Sequence, residues 1–399
     1  MNSMNLLPAL PELILIASVP AILLIDLFLP QNRRDVTFGL SILAILGCIA
    51  VTFIFPQEKN IAYSFGGAFI SDAVSILLKL CTYIAMLFTL VYARRYINER
   101  NLTSGHLGGE FYSLSLFAML GMMVVISAAD FLTMYLGIEL MSFPLYALVA
   151  LKRNDSKAVE AATKFFILGA LGSGLLLYGI SMLYGATGSL DFIEVARISA
   201  YSGISRTILV FGIVFVVAGI AFKLGAVPFH MWVPDVFEGA PTAVTLLIAG
   251  APKLAGFAIC LRILVEALLP LAFDWQQMLM IIAILSMALG NVAAIMQKNI
   301  KRMLAYSTIA QMGYMLLGML AGVREGTRVI ASTFAYSSAM YYTIVYVLAT
   351  LGAFGVILML PDYAGTVLVV PVLLALFYMA GKGLRGYIGF AEASVIGIG

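Results

Sequence analysis

The feature that most constrains this chain is a succession of apolar runs, each about as long as a bilayer span. A transmembrane helix takes roughly 20 apolar residues. Runs near that length recur at 8–29, 36–55, 70–93, 112–128, 131–151, 159–184, 207–228, 241–264, 275–297, 303–321 and 332–360, with a weaker one near 364–380. In hydrocarbon a segment must satisfy its own backbone N–H and C=O groups, so these runs must be helical. Only 11% of the 399 residues are charged and 62% are hydrophobic, against roughly 25% charged in soluble domains. The sequence therefore predicts an all-α polytopic membrane protein of about 11–12 spans, with no soluble domain long enough to stand apart. No basic stretch precedes the first run, and that run continues for a full span, so it reads as a helix and not a cleaved signal.

Charge placement orients the spans. Arg33, Arg34, Arg94, Arg95, Arg100, Lys152, Arg153, Lys157, Lys298, Lys301 and Arg302 fall on one side if the spans alternate. Lys59, Arg197, Arg206, Arg324 and Arg328 fall on the other. Eleven against five is a positive-inside signal, so the first side is expected to be cytoplasmic and the N-terminus outside. The longest loop, 185–206, is then external, and its mix of Leu190, Phe192, Ile193, Val195 and Ile198 with Glu194 and Arg197 suits a short surface helix.

Several functions are disfavoured. The basic residues sit in short separate loops, which argues against nucleic acid as a partner. Cys48, Cys81 and Cys260 lie in apolar runs with no metal-ligand spacing and read as small buried hydrophobes. The chain has two histidines, too few for a multi-histidine metal centre. Gly169, Gly172 and Gly174 lie in an apolar helix and read as close-packing residues, not a nucleotide loop. Any redox cofactor is expected on other chains.

Four ionisable residues do not belong in lipid. Glu139 lies eight residues into its span from Phe131, about 12 Å deep at 1.5 Å per residue. Lys253 lies twelve residues from Pro241, about 18 Å deep. Lys223 sits in an apolar helix that Pro228 is expected to break, after which the chain leaves through His230, Trp232 and Asp235. Lys164 lies five residues into the next span after Glu139, where it either snorkels or joins the buried set. Lys79 is mid-span but lacks a proline or glycine context, so it ranks below these four. Asp26, Asp72 and Asp130 lie near span ends and are expected to be interfacial.

Charges at membrane depth face a bundle interior or a water-filled cavity and mark ion pathways. Burial disfavours a charged lysine and a neighbouring carboxylate favours it. A Glu139–Lys223 pair that can be drawn apart is therefore a proton switch. Pro228 follows Lys223 by five residues and Pro252 directly precedes Lys253. Each removes a helix hydrogen bond, which a membrane tolerates only against protein or a water-filled cavity.

The stretch Lys223-Leu224-Gly225-Ala226-Val227-Pro228-Phe229-His230-Met231-Trp232-Val233-Pro234-Asp235 and its continuation to Thr242 resembles a signature of one family. That family is the antiporter-like membrane subunits (subunit N) of bacterial proton-pumping NADH:quinone oxidoreductase, respiratory complex I. Leu10–Leu15, Leu136–Ser142, Ala251–Gly256 and Asn299–Tyr314 also match, in order, from residue 8 to about 320 and more weakly to about 360. The resemblance implies a helix bundle with two inverted five-helix repeats, each containing a broken helix. It makes Glu139 the fifth-helix glutamate, Lys223 its broken-helix partner, Lys164 a lysine that modulates the pair, and Lys253 the lysine that passes the proton on. His230, just past the break, either joins this polar axis or makes a structural hydrogen bond. NADH, FMN, iron–sulfur clusters and quinone are implied on partner membrane and peripheral subunits, with none bound by this chain. The implied location is the bacterial inner membrane.

The tail, Pro361 to Gly399, does not fit the family pattern, and Lys382 sits in a glycine-rich polar end. The chain is thus expected to be C-terminally shortened. The expected divisions are N-terminal helices over 1–111, a first five-helix repeat over 112–264, a partial second repeat over 265–360, and the atypical tail over 361–399. Two rival readings stand at this point: an Mrp-type cation/proton antiporter subunit, and a structural membrane module that does not pump.

Overall fold

The computed structural model describes residues 6–29, 35–54, 61–99, 108–201, 205–324 and 330–359. The weak span near 364–380, Lys382 and the tail lie outside these residues, as do Arg33, Arg34, Lys59, Arg100 and Arg328. The helices are α1 Leu10–Phe28, α2 Asp35–Ile54, α3 Ala73–Glu99, α4 Gly108–Ile126, α5 Phe131–Val149, α6 Ser156–Thr187, α7 Phe192–Ser199 and α8 Arg206–Leu224. They continue with α9 Trp232–Gly239, α10 Thr242–Ala249, α11 Pro252–Cys260, α12 Ala272–Ile295, α13 Ile300–Leu320 and α14 Thr333–Met359. Two short antiparallel hairpins join them: β1 Ala62–Ser64 with β2 Phe69–Ser71, and β3 Val323–Arg324 with β4 Ile330–Ala331. Among the described residues, eleven helical stretches are long and apolar enough to cross a bilayer.

Side-chain caps start several helices. Asp130 accepts from the Thr133 N–H at 2.7 Å at the head of α5, which explains an acid at that span end. Asp155 and Asp191 do the same for α6 and α7, and Asn299 for α13. The short helix expected in the long loop is α7, whose Phe192 and Val195 are buried.

The stretch Thr242–Ala267 is the most buried of the spans and runs through the middle of the bundle. Apart from Thr242, Thr245, Lys253, Arg262 and Glu266 it is apolar on all sides, as suits an interior helix. It is not one continuous helix: Gly250 ends α10, Pro252 opens α11, and a π-helical turn follows over Leu261–Ala267.

The break after α8 differs from the one expected at Pro228. The helix stops earlier, at Leu224, because Gly225 takes a left-handed conformation with φ +76°. A Cβ there would sit 2.5 Å from Val233 Cγ2, so glycine is needed for both its φ and its lack of a side chain. Pro228 has a different consequence. The Leu224 carbonyl, among the last four of α8, has no helical donor because the helix ends there, and Pro228, without an N–H, cannot supply one from the linking segment.

Small residues set the approach of α6 and α8. A Cβ on Gly179 would meet the Gly212 carbonyl at 2.7 Å, and one on Gly219 would meet Leu176 Cβ at 2.6 Å. Gly169 and Gly172 also face close neighbours, Tyr146 and Phe222, whereas Gly174 faces open space and plays no part in packing.

Candidate functional site

Three helices build the centre of the site. Helix α5 supplies Glu139 and Ser142, three residues apart and so on one face. Helix α6 supplies Ser173 and α8 supplies Lys223 in its last turn. Lys223 Nζ lies 3.6 Å from Glu139 Oε1, with the two side chains 6% and 15% exposed. That separation is an ion pair but too long for a hydrogen bond. The ammonium instead donates to Ser142 Oγ at 3.1 Å and Ser173 Oγ at 2.9 Å. The Ser142 hydroxyl donates to the Ile138 carbonyl at 2.7 Å, which leaves its lone pairs for the lysine. Glu139 Oε1 is buried and has no hydrogen-bond partner among the described residues. Pro144, five residues on from Glu139, lies inside α5 and frees the Leu140 carbonyl.

Lys253 reaches the other side of the break. Its ammonium is buried and donates to the Leu224 carbonyl at 3.0 Å, left open at the end of α8. It also lies 5.7 Å from the centre of the Trp232 ring, within cation–π range. Trp232 stacks on Phe165 with centroids 4.6 Å apart and donates from Nε1 to the Phe222 carbonyl at 3.1 Å. The linking segment is pinned to α12 through Val227 N–H, which donates to Ser286 Oγ at 2.9 Å. The ends of the broken helix are thus almost fully partnered: Ala226 N–H takes the Ala221 carbonyl, and Gly225 N–H that of Phe222.

Lys164 belongs to a separate cluster. Its ammonium pairs with Asp235 at 2.9 Å and Glu160 at 2.8 Å. Asp235 and Glu238 both pair with Arg302, at 3.0 and 3.1 Å. These residues, with Lys157, line a cavity of about 200 Å³. Burial pushes the Asp235 carboxyl upward, but Lys164 and Arg302 outweigh it and hold it below the usual carboxylate range. Lys164 lies nine residues before Ser173 on α6, about 14 Å along the axis, so it touches neither Glu139 nor Lys223. His230 lies on the segment between α8 and α9. Burial holds its imidazole below its ordinary value, opposed by the Pro228 carbonyl.

The sequence singles out Glu139, Lys164, Lys223, Lys253 and His230 and gives no such prominence to Ser142, Ser173, Glu160, Glu238 or the site role of Arg302. Spacing marks two of these, since Ser142 follows Glu139 by three residues and Glu160 precedes Lys164 by four. Lys79, ranked low, pairs with Glu12 at 2.6 Å with both side chains buried. Arg262 was not singled out. It is 1% exposed and bonds Asp72 at 2.7 Å, Glu266 at 2.5 Å and the Ile126 carbonyl at 3.4 Å. Asp72 lies at the span end as expected and is half-buried there as the partner of Arg262; burial pushes its carboxyl up, and Arg262 and Ser75 pull it below the usual range.

Residues 128–384 match the family described as NADH:quinone oxidoreductase/Mrp antiporter, TM, a match that runs past Leu360, where the resemblance in the sequence fades. A protein of Herminiimonas arsenicoxydans named NADH-quinone oxidoreductase subunit N is 60% identical over 360 residues, 90% of this chain and 73% of that protein. One of the same name from Polaromonas naphthalenivorans is 54% identical over 356 residues, covering 88% and 69%. A chain of respiratory complex I from Thermus thermophilus with bound aureothin superposes with a TM-score of 0.74 at 30% identity, covering 96% of this chain and 82% of that one. A chain of the Mrp complex from Dietzia sp. shares the fold, with a TM-score of 0.72 at 19% identity over 89% and 65%.

Proposed function

This chain belongs to the NADH:quinone oxidoreductase/Mrp antiporter family of membrane proteins, and from that membership we propose that it is the subunit-N type membrane component of an NADH:quinone oxidoreductase and moves protons through a buried relay. Its partners are the other membrane and peripheral subunits of that complex. NADH, FMN, iron–sulfur clusters and quinone belong to those partners, and this chain contributes proton carriers. The chain lies in the bacterial inner membrane with its N-terminus outside, the orientation that the charge bias supports.

One observation carries the reading. Lys223 is buried 3.6 Å from a carboxylate that does not hydrogen-bond it, and two serine hydroxyls accept hydrogen bonds from its ammonium. Such a pair can separate without losing all partners of the ammonium. With Glu139 near, an attraction of about 5 kcal/mol at an effective dielectric constant near 20 offsets part of the cost of burying the charged lysine. With Glu139 drawn away, that support falls and the proton leaves. Lys253 is the next carrier: once it has passed on its own proton, its neutral amine, held at the carbonyl of the residue after Lys223, accepts the one that Lys223 releases. Asp235, Lys164, Glu160 and Arg302 surround the cavity from which protons enter. In this reading residues 112–264 form the working five-helix repeat and residues 265–360 belong to the second.

The test is reconstitution of the full complex into vesicles with Lys223→Ala or Glu139→Ala. Proton uptake per NADH oxidised is expected to fall, and wild-type pumping with normal assembly would refute the relay. Sodium exchange by the chain without NADH would favour the Mrp-type reading instead.

A further inference from the structure

A second buried ion pair lies outside the site described above. Glu12, in the first turn of α1, and Lys79, two turns into α3, meet at 2.6 Å with side chains 5% and 4% exposed. Glu12 Oε2 has no hydrogen-bond partner among the described residues. The Lys79 ammonium also lies 4.7 Å from the centre of the Phe69 ring, which the β1–β2 hairpin places over it. Among the described residues, the other ionisable groups facing the pair are the Cys48 thiol, which donates to the Pro11 carbonyl at 3.4 Å, and the buried Tyr83 phenol.

This arrangement is a poor way to add stability. Burying two charges costs several kcal/mol per ion unless the geometry is good and the remaining lone pairs are satisfied. Here one carboxylate oxygen is left without a donor. The helix dipole of α1 assists the carboxylate by only about 0.3–1 kcal/mol. A well-packed apolar pair of the same volume would hold α1 against α3 as well or better. What a lysine–carboxylate pair adds is exchangeable protons. It can gain a proton on the free carboxylate oxygen or lose one from the ammonium, changing its charge by one in either direction.

Exchange needs room for water beside the pair, and the structure has it at Lys79. Lys79 lines a small cavity bounded also by Leu7, Pro8, Pro11, Thr52 and Ser71, of about 20 Å³. That is room for about one water, which needs roughly 10–15 Å³ and a few polar partners. The Lys79 ammonium and the Thr52 and Ser71 hydroxyls are of that kind. The cavity lies at the N-terminal ends of α1 and α3 and the C-terminal end of α2, so it belongs to the side on which the charge bias puts the N-terminus.

We propose that Glu12 and Lys79 form a second proton-exchanging site, in contact through this one-water cavity with the outer aqueous phase and separate from the Glu139–Lys223 pair. The inference rests on the proposed reading of the chain as a proton-moving subunit. Lys79→Arg tests it, because arginine keeps the positive charge and the ion pair but does not release its proton. In the full reconstituted complex, Lys79→Arg is expected to leave assembly and uncoupled NADH oxidation unchanged and to lower protons pumped per NADH. The neutral double variant Glu12→Gln/Lys79→Gln, which leaves no buried charge unpaired, is expected to assemble and show the same loss. Infrared difference spectra between acidic and alkaline samples should contain a protonated-carboxyl band that Glu12→Gln removes. If Lys79→Arg and the double variant both pump at the wild-type ratio and no such band exists, the pair merely ties α1 to α3 and the proposal is wrong. Lys223→Ala, measured alongside, separates the two failures: wild-type pumping there refutes the proposed function, whereas the infrared band tests Glu12 independently.

Discussion

The charge pair at the centre of the bundle makes a quantitative prediction about non-additivity. Glu139→Gln leaves a buried ammonium with two serine hydroxyls and no counter-charge; Lys223→Met leaves a buried carboxylate already short of one hydrogen bond. At 3.6 Å the attraction is about 5 kcal/mol for an effective dielectric constant near 20. Breaking a buried pair by removing one partner costs about 3–5 kcal/mol, whereas replacing both with neutral groups is often close to neutral. The double variant Glu139→Gln/Lys223→Met is therefore expected to be more stable than either single variant, with a coupling of at least about 2 kcal/mol. The assay is thermal unfolding of the purified complex, read with the amount of this chain retained in it. Proton pumping is read on the same samples, and the double variant should recover stability without recovering pumping. Additive losses of stability in the double variant would refute the structural reasoning. Pumping by a stable double variant would refute the chemical part.

Gly225→Ala should lower stability by about 2–4 kcal/mol, from left-handed φ strain and overpacking against Val233; Val233→Ala in the same background should restore part of the loss in thermal unfolding. Asp235 is held below its ordinary value near 3.9, so what its ion pairs contribute is present above that value and lost as pH falls through the folded one. The stability difference between wild type and Asp235→Asn is expected to be flat from pH 8 to about pH 5 and to shrink below about pH 4, and to weaken with salt because the cluster is partly exposed. Arg262→Met strands the Asp72 and Glu266 carboxylates and should cost about 3–5 kcal/mol, seen as a lower membrane content of the chain; Arg262→Lys should recover only part, since an ammonium cannot hold two carboxylates in a fixed fork.

How far the site was legible in the sequence depends on what each residue costs in lipid. Glu139, Lys223 and Lys253 stood out because a charge at membrane depth is expensive and needs a reason. Ser142 and Ser173 gave no such signal, since a serine can bond its own helix backbone and passes unnoticed in an apolar run. Glu12 was hidden for another reason: an acid in the first turn of a helix is unremarkable, and its lysine lies 67 residues away on another helix. Arg262 sits near a span end, where a snorkelling arginine is expected, and only the packing of α3 and α4 shows that it turns inward. The spans themselves were legible because bilayer length is a hard constraint. The interruption before α11 was marked by Pro252, but the stop at Gly250 was not, because a single glycine in an apolar run carries no sign of the backbone angle it adopts.

The position of the break joins the two central lysines more tightly than the spacing of Lys223 and Pro228 implies. Gly225 ends the helix one residue after Leu224, and Pro228 withholds the donor that a continuous helix would offer the Leu224 carbonyl. Lys253 fills that vacancy from the middle of the bundle. The carbonyl it binds belongs to the residue next to Lys223, so the end of α8 cannot shift toward or away from Glu139 without changing the hydrogen bond of Lys253. A lysine cap is therefore a mechanical link as well as a place for a proton. Removing the Lys253 side chain leaves a buried carbonyl unpaired, at about 1–3 kcal/mol, and loosens the segment that carries Lys223. Loss of pumping in a Lys253 variant thus does not by itself separate carrier from cap. The distinction lies in whether the Glu139–Lys223 coupling survives in that background: a carrier alone would leave it intact, and a cap would not.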